Sequence, residues 1–412
     1  MIYQYVGLAI FILLTQNAYA ESLIPERRTN QYLTQMGYFV TPLPYSIPGI
    51  GSGVIFLGNF SNVKNTTTDI NVLTISGDAG GTMFFAEEIP LKGKWLSMET
   101  SYQNINRANI NVYSKRGMDG VAKDDFNIME MGLFKKLHNA LILDFYEKRF
   151  SFIYNHDIVE SRIDALKDNE GKFLNTLYIA NKDTQNALDF QIDFTDDKLD
   201  PRRGVRFDLS YQNHEAKDSK SPDMYVLDYN LSGYLPMGKH STLALNYFQS
   251  DAHVTREGET DLDAIRNELD PCDPTDNACI SARESLVLNY YNERKYGTAT
   301  DMGGNQRLRS YPGSRFQGAH SGYFAAEFRW NFMQKATPFN YWIWRDVRTG
   351  IQTAFFLEAA SVSERSSELW NEKRYSSGVG LRLITASGGV YRADFATGSE
   401  GSELSVIFNY PW

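Results

Sequence analysis

GYFAAEFRWNF, residues 322–332, decides the fold. Phe324, Ala326, Phe328, Trp330 and Phe332 share one parity, and Tyr323, Ala325, Glu327, Arg329 and Asn331 share the other. A period of two puts the sets on opposite faces of a strand, one apolar and aromatic, the other polar and charged. The pattern recurs along the chain. In LDFQIDF, Leu188, Phe190, Ile192 and Phe194 oppose Asp189, Gln191 and Asp193. In MYVLDYNLSGYL, Tyr225, Leu227, Tyr229 and Leu231 oppose Val226, Asp228, Asn230 and Ser232. SELSVIFNYPW sets Leu404, Val406, Phe408, Tyr410 and Trp412 on one side.

A soluble sandwich gives the same alternation, with its apolar face inward. Three properties point instead to a membrane barrel. The segments run for about 10 residues, the length a tilted spanning strand needs. Their apolar faces are rich in aromatics, as interfacial girdles are. Charged residues recur mid-strand on the other face, which a water-filled lumen tolerates. In a bilayer such a sheet must close, because an open edge leaves backbone groups unpaired. Periodicity and turn signals give about seventeen candidate strands, and a single-chain barrel takes an even number. The weakest, LVLNYYNERKY (286–296), is assigned to a loop. The fold class is therefore all-β, a transmembrane antiparallel barrel of about 16 strands. Its last expected strands are 374–387, 389–398 and 402–412, and earlier ones include 125–136 and 140–154. The connection from 255 to 320 is the longest, and a loop of that length is usually functional or disordered.

MIYQYVGLAIFILLTQNAYA, residues 1–20, has the apolar run and small-residue exit of a cleavable signal, although no Lys or Arg precedes the run. Residues 21–35 are a short N-terminal segment and 36–412 the barrel, which leaves no room for an independent periplasmic module. The formal charge of −9, with no basic stripe, argues against nucleic acid. The two cysteines, Cys272 and Cys279, are expected to pair in an oxidising compartment. Closing so short a loop stabilises by about 2–3 kcal/mol. Two cysteines without a nearby histidine make a poor zinc site. The acidic stretch 261–276 lacks the glycine and spacing of a calcium loop and reads as a solvated, disulfide-stapled surface loop. None of the six histidines sits in a nucleophile motif, and no Gly-x-Ser-x-Gly elbow appears. No cofactor, metal or enzymatic activity is expected.

The ordered features of the C-terminal half resemble the BamA/TamA and two-partner-secretion superfamily of sixteen-stranded outer-membrane barrels. LDPRRG (199–204) resembles the family's Pro-x-x-Gly turn, carried by Pro201 and Gly204. GGNQRLRSY (303–311) resembles its sixth-loop signature: Leu308, Arg309 and Tyr311 match, and Ser310 stands where the family has glycine. FAAEFRWNF and TAFFLEAASV resemble the two following strands, with the family's acids at Glu327 and Glu358. The aromatic Trp412 resembles the terminal signal by which such barrels are recognised for assembly.

The resemblance implies a sixth extracellular loop folded into the lumen, with Arg309 meeting Glu327, Glu358 or both. A guanidinium in a confined lumen needs a carboxylate, and its planar fork can hold one in bidentate fashion. A second expectation concerns closure. Pro42 and Pro44 lie two apart, so their missing N–H groups fall on one edge of the first strand. Pro411 removes another donor in the last strand. One reading is a weakly bonded seam between first and last strands, which in the family can open toward lipid; the other is that Pro42 and Pro44 merely precede the barrel. The implied location is the outer membrane of a Gram-negative bacterium. The implied partners are outer-membrane lipids and lipopolysaccharide, the machinery that inserts the barrel, and a separate periplasmic protein. The implied work is outer-membrane biogenesis or transport. The alternatives are a passive pore or structural surface barrel and, further off, a barrel hydrolase.

Overall fold

Strand after strand pairs with its sequence neighbour until the last meets the first. The computed structural model describes residues 36–412 except 114, 119–125, 199, 270, 273, 276, 335–338, 343, 348 and 386–389. The signal at 1–20 and the segment 21–35 lie outside the described residues. Eighteen described strands form one antiparallel sheet. They are β1 (Gly37–Ile47), β2 (Gly51–Ser61), β3 (Asp69–Gly77), β4 (Gly80–Lys92), β5 (Leu96–Tyr113) and β6 (Phe126–Phe145). Then come β7 (Phe150–Lys167), β8 (Phe173–Asp193), β9 (Gly204–His214), β10 (Asp223–Pro236), β11 (Ser241–Arg256) and β12 (His320–Gln334). The last are β13 (Phe339–Tyr341), β14 (Trp344–Val347), β15 (Thr349–Ser363), β16 (Arg374–Thr385), β17 (Val390–Gly398) and β18 (Gly401–Phe408). β12 pairs directly with β15, so β13 and β14 are a small hairpin set into the connection between them. Sixteen staves remain, and they close the barrel.

The alternation sorts side chains as a bilayer requires. Phe324, Phe328, Trp330 and Phe332 on β12 face outward, while Tyr323, Ala325, Glu327, Arg329 and Asn331 are buried within. β15 does the same, with Phe355 and Leu357 outside and Phe356 and Glu358 inside. On β1 to β4 the inner face is apolar too: Phe39, Ile55, Leu57 and Leu73 are buried inside, while Val40, Phe56, Val72 and Phe84 are exposed outside. These strands read as nearly continuous apolar runs, the mark of a strand covered on both faces. The polar lumen expected from the later strands therefore holds for only part of the wall.

Several boundaries differ from expectation. Residues 286–296 are not irregular: they end a helix, α2 (Asn277–Tyr296), which packs on α1 (Leu262–Glu268). Gly297, at φ 80°, ends α2 in the left-handed conformation that a glycine supplies without steric cost. Asp261 caps α1 by accepting from the backbone N–H groups of Asp263 and Ala264, which gives one acid of the 261–276 stretch a structural task. Cys272 is disulfide-bonded, and the side chain of Cys279 lies outside those described.

The expected strand at 140–154 straddles a turn. Tyr146, Glu147 and Lys148 all adopt positive φ, a tight turn with no glycine or proline to announce it. β5 to β8 run for 18, 20, 18 and 21 residues, well beyond the roughly 10 that span a bilayer, so their ends stand clear of it. The last strand stops at Phe408 rather than 412. Asn409, at φ 67°, turns the chain inward, and Tyr410, Pro411 and Trp412 leave the outer face. Pro411 therefore lies past the β18 ladder and removes no donor from it. Residues 386–389, where the expected strands 374–387 and 389–398 meet, lie outside the described residues.

Candidate functional site

The connection from β11 to β12 carries α1 and α2 and then an irregular stretch, 297–319, which returns to the barrel. That stretch is folded on itself. Met302 and Phe316 exchange backbone hydrogen bonds at 2.9 and 3.0 Å, and Gly304 N–H donates to Tyr311 O at 2.8 Å. Gly303 and Gly304 take φ of 112° and 98°, and a Cβ at Gly303 would lie 2.2 Å from Pro312 O. The glycine pair is thus fixed by close backbone approach. Leu308, at φ 56°, turns the tip so that Arg309 and Ser310 face the barrel wall.

Arg309 is completely buried. Its backbone N–H and its Nε both donate to Glu358, each at 2.7 Å. Nη1 donates to Asp394 at 2.8 Å and Nη2 to Glu327 at 3.2 Å. The guanidinium lies over the Phe356 ring, 3.3 Å from its centroid. The structure thus brings Arg309 to both Glu327 and Glu358, and adds Asp394 from β17. Phe356 shares the inner face with Glu358 because it supplies the ring on which the cation rests.

The acids serve further cations. Arg382 grips Glu327 with two N–H groups at 2.5 and 2.7 Å, and Arg329 Nε donates to it at 2.7 Å. Arg392 donates to Asp394 and to Asn305 O. Tyr323 donates its hydroxyl to Glu358 at 2.8 Å. Four arginines (309, 329, 382, 392) face three acids (327, 358, 394), so 4 − 3 leaves one positive charge in excess. Aromatic rings accommodate it: Arg329 lies 4.2 Å from the Tyr410 centroid and 5.2 Å from that of Trp412. Removing one member of such a network leaves uncompensated buried charge, so the network pins the tip in one place.

Ser310 is accommodated by a glycine elsewhere. A Cβ on Gly398 would lie 2.3 Å from Ser310 Oγ, so β17 leaves room for the serine hydroxymethyl group. Tyr311 shares a hydrogen bond with Ser399 Oγ at 2.9 Å. Two further ion pairs hold the stretch: Arg315 to Glu400 at 2.8 and 2.9 Å, and Arg116, from the β5–β6 connection, to Glu364 at 2.6 and 2.8 Å.

The 199–204 turn joins the same network. Gly204 has φ 110°, and a Cβ there would lie 2.2 Å from Phe194 O. Pro201 is buried in the turn. The neighbouring Asp200 accepts the Tyr410 hydroxyl at 2.6 Å. A continuous chain therefore runs from Asp200 through Tyr410, Arg382 and Glu327 to Arg309.

The chain is similar to CdiB from Escherichia coli, with TM-score 0.51 and 10% identity over 90% of this chain and 62% of that one. It is also similar to BamA from Haemophilus ducreyi lacking POTRA domains 1–3, with TM-score 0.48 and 11% identity over 91% and 70% of the two chains. The chain shares the barrel fold of CdiB. It spans about 62% of the CdiB chain. No protein-family model and no curated protein sequence matches it.

The closing seam of the barrel is bonded unlike the rest of the sheet. β1 pairs with β2 along its whole length, from Gly37↔Ser61 to Ile47↔Gly51. On its other edge, among the described residues, it shares one register pair with β18, Ser46↔Val406. Pro42 and Pro44 offer no N–H on that edge. The carbonyls there are taken by side chains instead. Tyr391 donates its hydroxyl to Pro44 O at 2.6 Å, and Trp344 donates Nε1 to Val40 O at 3.0 Å. The lower part of the edge pairs with the hairpin, through Tyr38↔Arg345 and Phe39↔Trp344. Trp412, expected at the seam, lies inside the barrel by Arg329.

Reading the sequence missed Asp394, Arg382, Arg392 and Phe356. For the first three a signal existed: Arg392 and Asp394 alternate on one face of VYRADFATG, and Arg382 stands alone among apolar residues. The seam hairpin had none, since its strands hold three and four residues.

Proposed function

We propose that this protein acts in outer-membrane biogenesis or transport, inserting or translocating protein or lipid through its lateral seam. The observation that carries the reading is the single β1–β18 register pair, with the β1 carbonyls held by side chains that can let go without unravelling a ladder. The pinned tip at Arg309 serves as a plug, which keeps the lumen closed while the seam works. A buried, fully engaged plug favours this reading over a passive pore. A separate periplasmic protein presents the client, and outer-membrane lipids with lipopolysaccharide surround the seam. Pairing of Cys272 with Cys279 staples the surface cap that covers the plug's root.

The test uses purified protein in liposomes. A small urea-unfolded outer-membrane barrel is added, and its folding is followed by gel shift against empty liposomes and liposomes holding an unrelated porin. Faster folding with this protein alone supports the reading. Equal folding in all three, together with steady ion conductance, would move the function to a pore.

A further inference from the structure

Between the plug and the β1–β4 wall lies a cavity of about 690 Å³. We infer that it binds one single-chain amphiphile with a cationic head group. Its wall is apolar, formed by Phe39, Leu43, Leu57, Leu73, Met83 and Phe85. Spanning a bilayer requires apolar residues on the outer face only, and β1 to β4 already have them there. A second apolar face in contact with luminal water costs roughly 25 cal/mol for each Å² left wet, so it favours an apolar occupant. The volume falls within the roughly 300–1,000 Å³ of small-ligand sites and is too small for a folded domain.

One end of the cavity carries acceptors. β4 breaks register between Ala86 and Ile89, and Glu88 takes φ 49°. That bulge turns two consecutive residues, Glu87 and Glu88, toward the same space, whereas a regular strand would send one of them outward. Lys148 and Lys198 engage Glu88 at 2.7 and 3.0 Å. Glu87, and Glu99 on β5, have no hydrogen-bond or ion-pair partner among the described residues. Asn59 is 4% exposed and lines the same cavity, and its Oδ1 has no partner. Two unpartnered carboxyl groups and an orphaned amide oxygen call for a positively charged donor at the end of an alkyl chain. Trp344, Tyr391 and Phe408, at the seam, also line the cavity, so a ligand entering where β1 and β18 share one register pair would come from the bilayer.

The experiment is native mass spectrometry of the full chain released from a neutral maltoside micelle, with dodecylamine, dodecanol or dodecanoate added at neutral pH. The expected result is one retained dodecylamine per barrel, with roughly tenfold weaker retention of the other two, as loss of a charge-assisted hydrogen bond implies. Leu57→Trp, which fills the cavity, abolishes retention while the barrel keeps its heat-modifiable gel shift. Glu87→Gln with Glu99→Gln removes the preference for the amine and decides the matter should the tryptophan variant not fold. Equal retention of all three probes by the native chain, or undiminished amine retention in a folded Leu57→Trp barrel or in the double glutamine variant, would overturn the proposal.

Discussion

Tyr391 and Pro44 meet across the closing seam, the tyrosine hydroxyl donating to the proline carbonyl at 2.6 Å. A proline cannot return that bond through its backbone. The contact therefore holds the strands at one point, where an antiparallel ladder would hold them by exchanged pairs.

The seam can be locked. Ser46 and Val406 are directly opposite, so cysteines at both positions fall within the separation a disulfide spans. On oxidation the Ser46→Cys/Val406→Cys barrel is expected to cross-link, keep its gel shift and lose its effect on client folding, which returns with reductant. A cross-linked barrel as active as the reduced one would remove the seam from the mechanism.

The side-chain bonds across the seam should matter singly. Tyr391→Phe removes the hydroxyl and is expected to cost about 1 kcal/mol. Hydrogen exchange should rise in β1 and leave β10 and β11 unchanged, since that pair exchanges bonds along its whole length.

Arg309→Ala leaves Glu358 with the backbone N–H of residue 309 and the Tyr323 hydroxyl but no cation among its described partners, and opens a gap over Phe356. Breaking a buried ion pair costs about 3–5 kcal/mol. The expected outcome is a lower temperature for loss of the gel shift, with new protease cleavage within 297–319. Arg309→Lys should recover only part, because an ammonium on a flexible stem cannot reproduce the planar fork that reaches three acids.

Gly398→Ala puts a methyl 2.3 Å from Ser310 Oγ and 2.9 Å from Tyr375 O. A cost of roughly 1–3 kcal/mol is expected from overpacking. Ser310→Gly should relieve the first clash and leave the second, so the double variant lies between Gly398→Ala and the native chain. Additive losses in a double-mutant cycle would show that the two residues do not meet.

The surface cap should loosen in acid. Hydrogen bonds from Arg294 hold the Glu268 carboxyl below its ordinary value of 4.5, and those from Arg266 do the same for Glu284. A depressed folded value gives stability that is present above the unfolded value and lost as pH falls through the folded one. Proteolysis of α1 and α2 by an acid-tolerant protease should therefore rise as pH drops from about 5 to 3, while the barrel stays intact.

The sequence by itself determined the barrel. Alternation over Phe324 to Phe332 requires a sheet with an apolar face, aromatics on that face place it in a bilayer, and a bilayer forbids open edges. Arg309, Glu327 and Glu358 were legible because a motif and two strand parities marked them. Tertiary structure decided what parity cannot carry. Asp394 joins Arg309 from 85 residues away, through a register set by the pairing of β16 and β17. Tyr410 and Trp412 turn inward because Asn409 adopts a left-handed conformation, which breaks the period they seemed to continue. The cavity exists because four strands are apolar on both faces. Local patterning fixes which side of its own strand a residue occupies. Which residues then share the lumen depends on closure and stagger, and these are properties of the whole sheet.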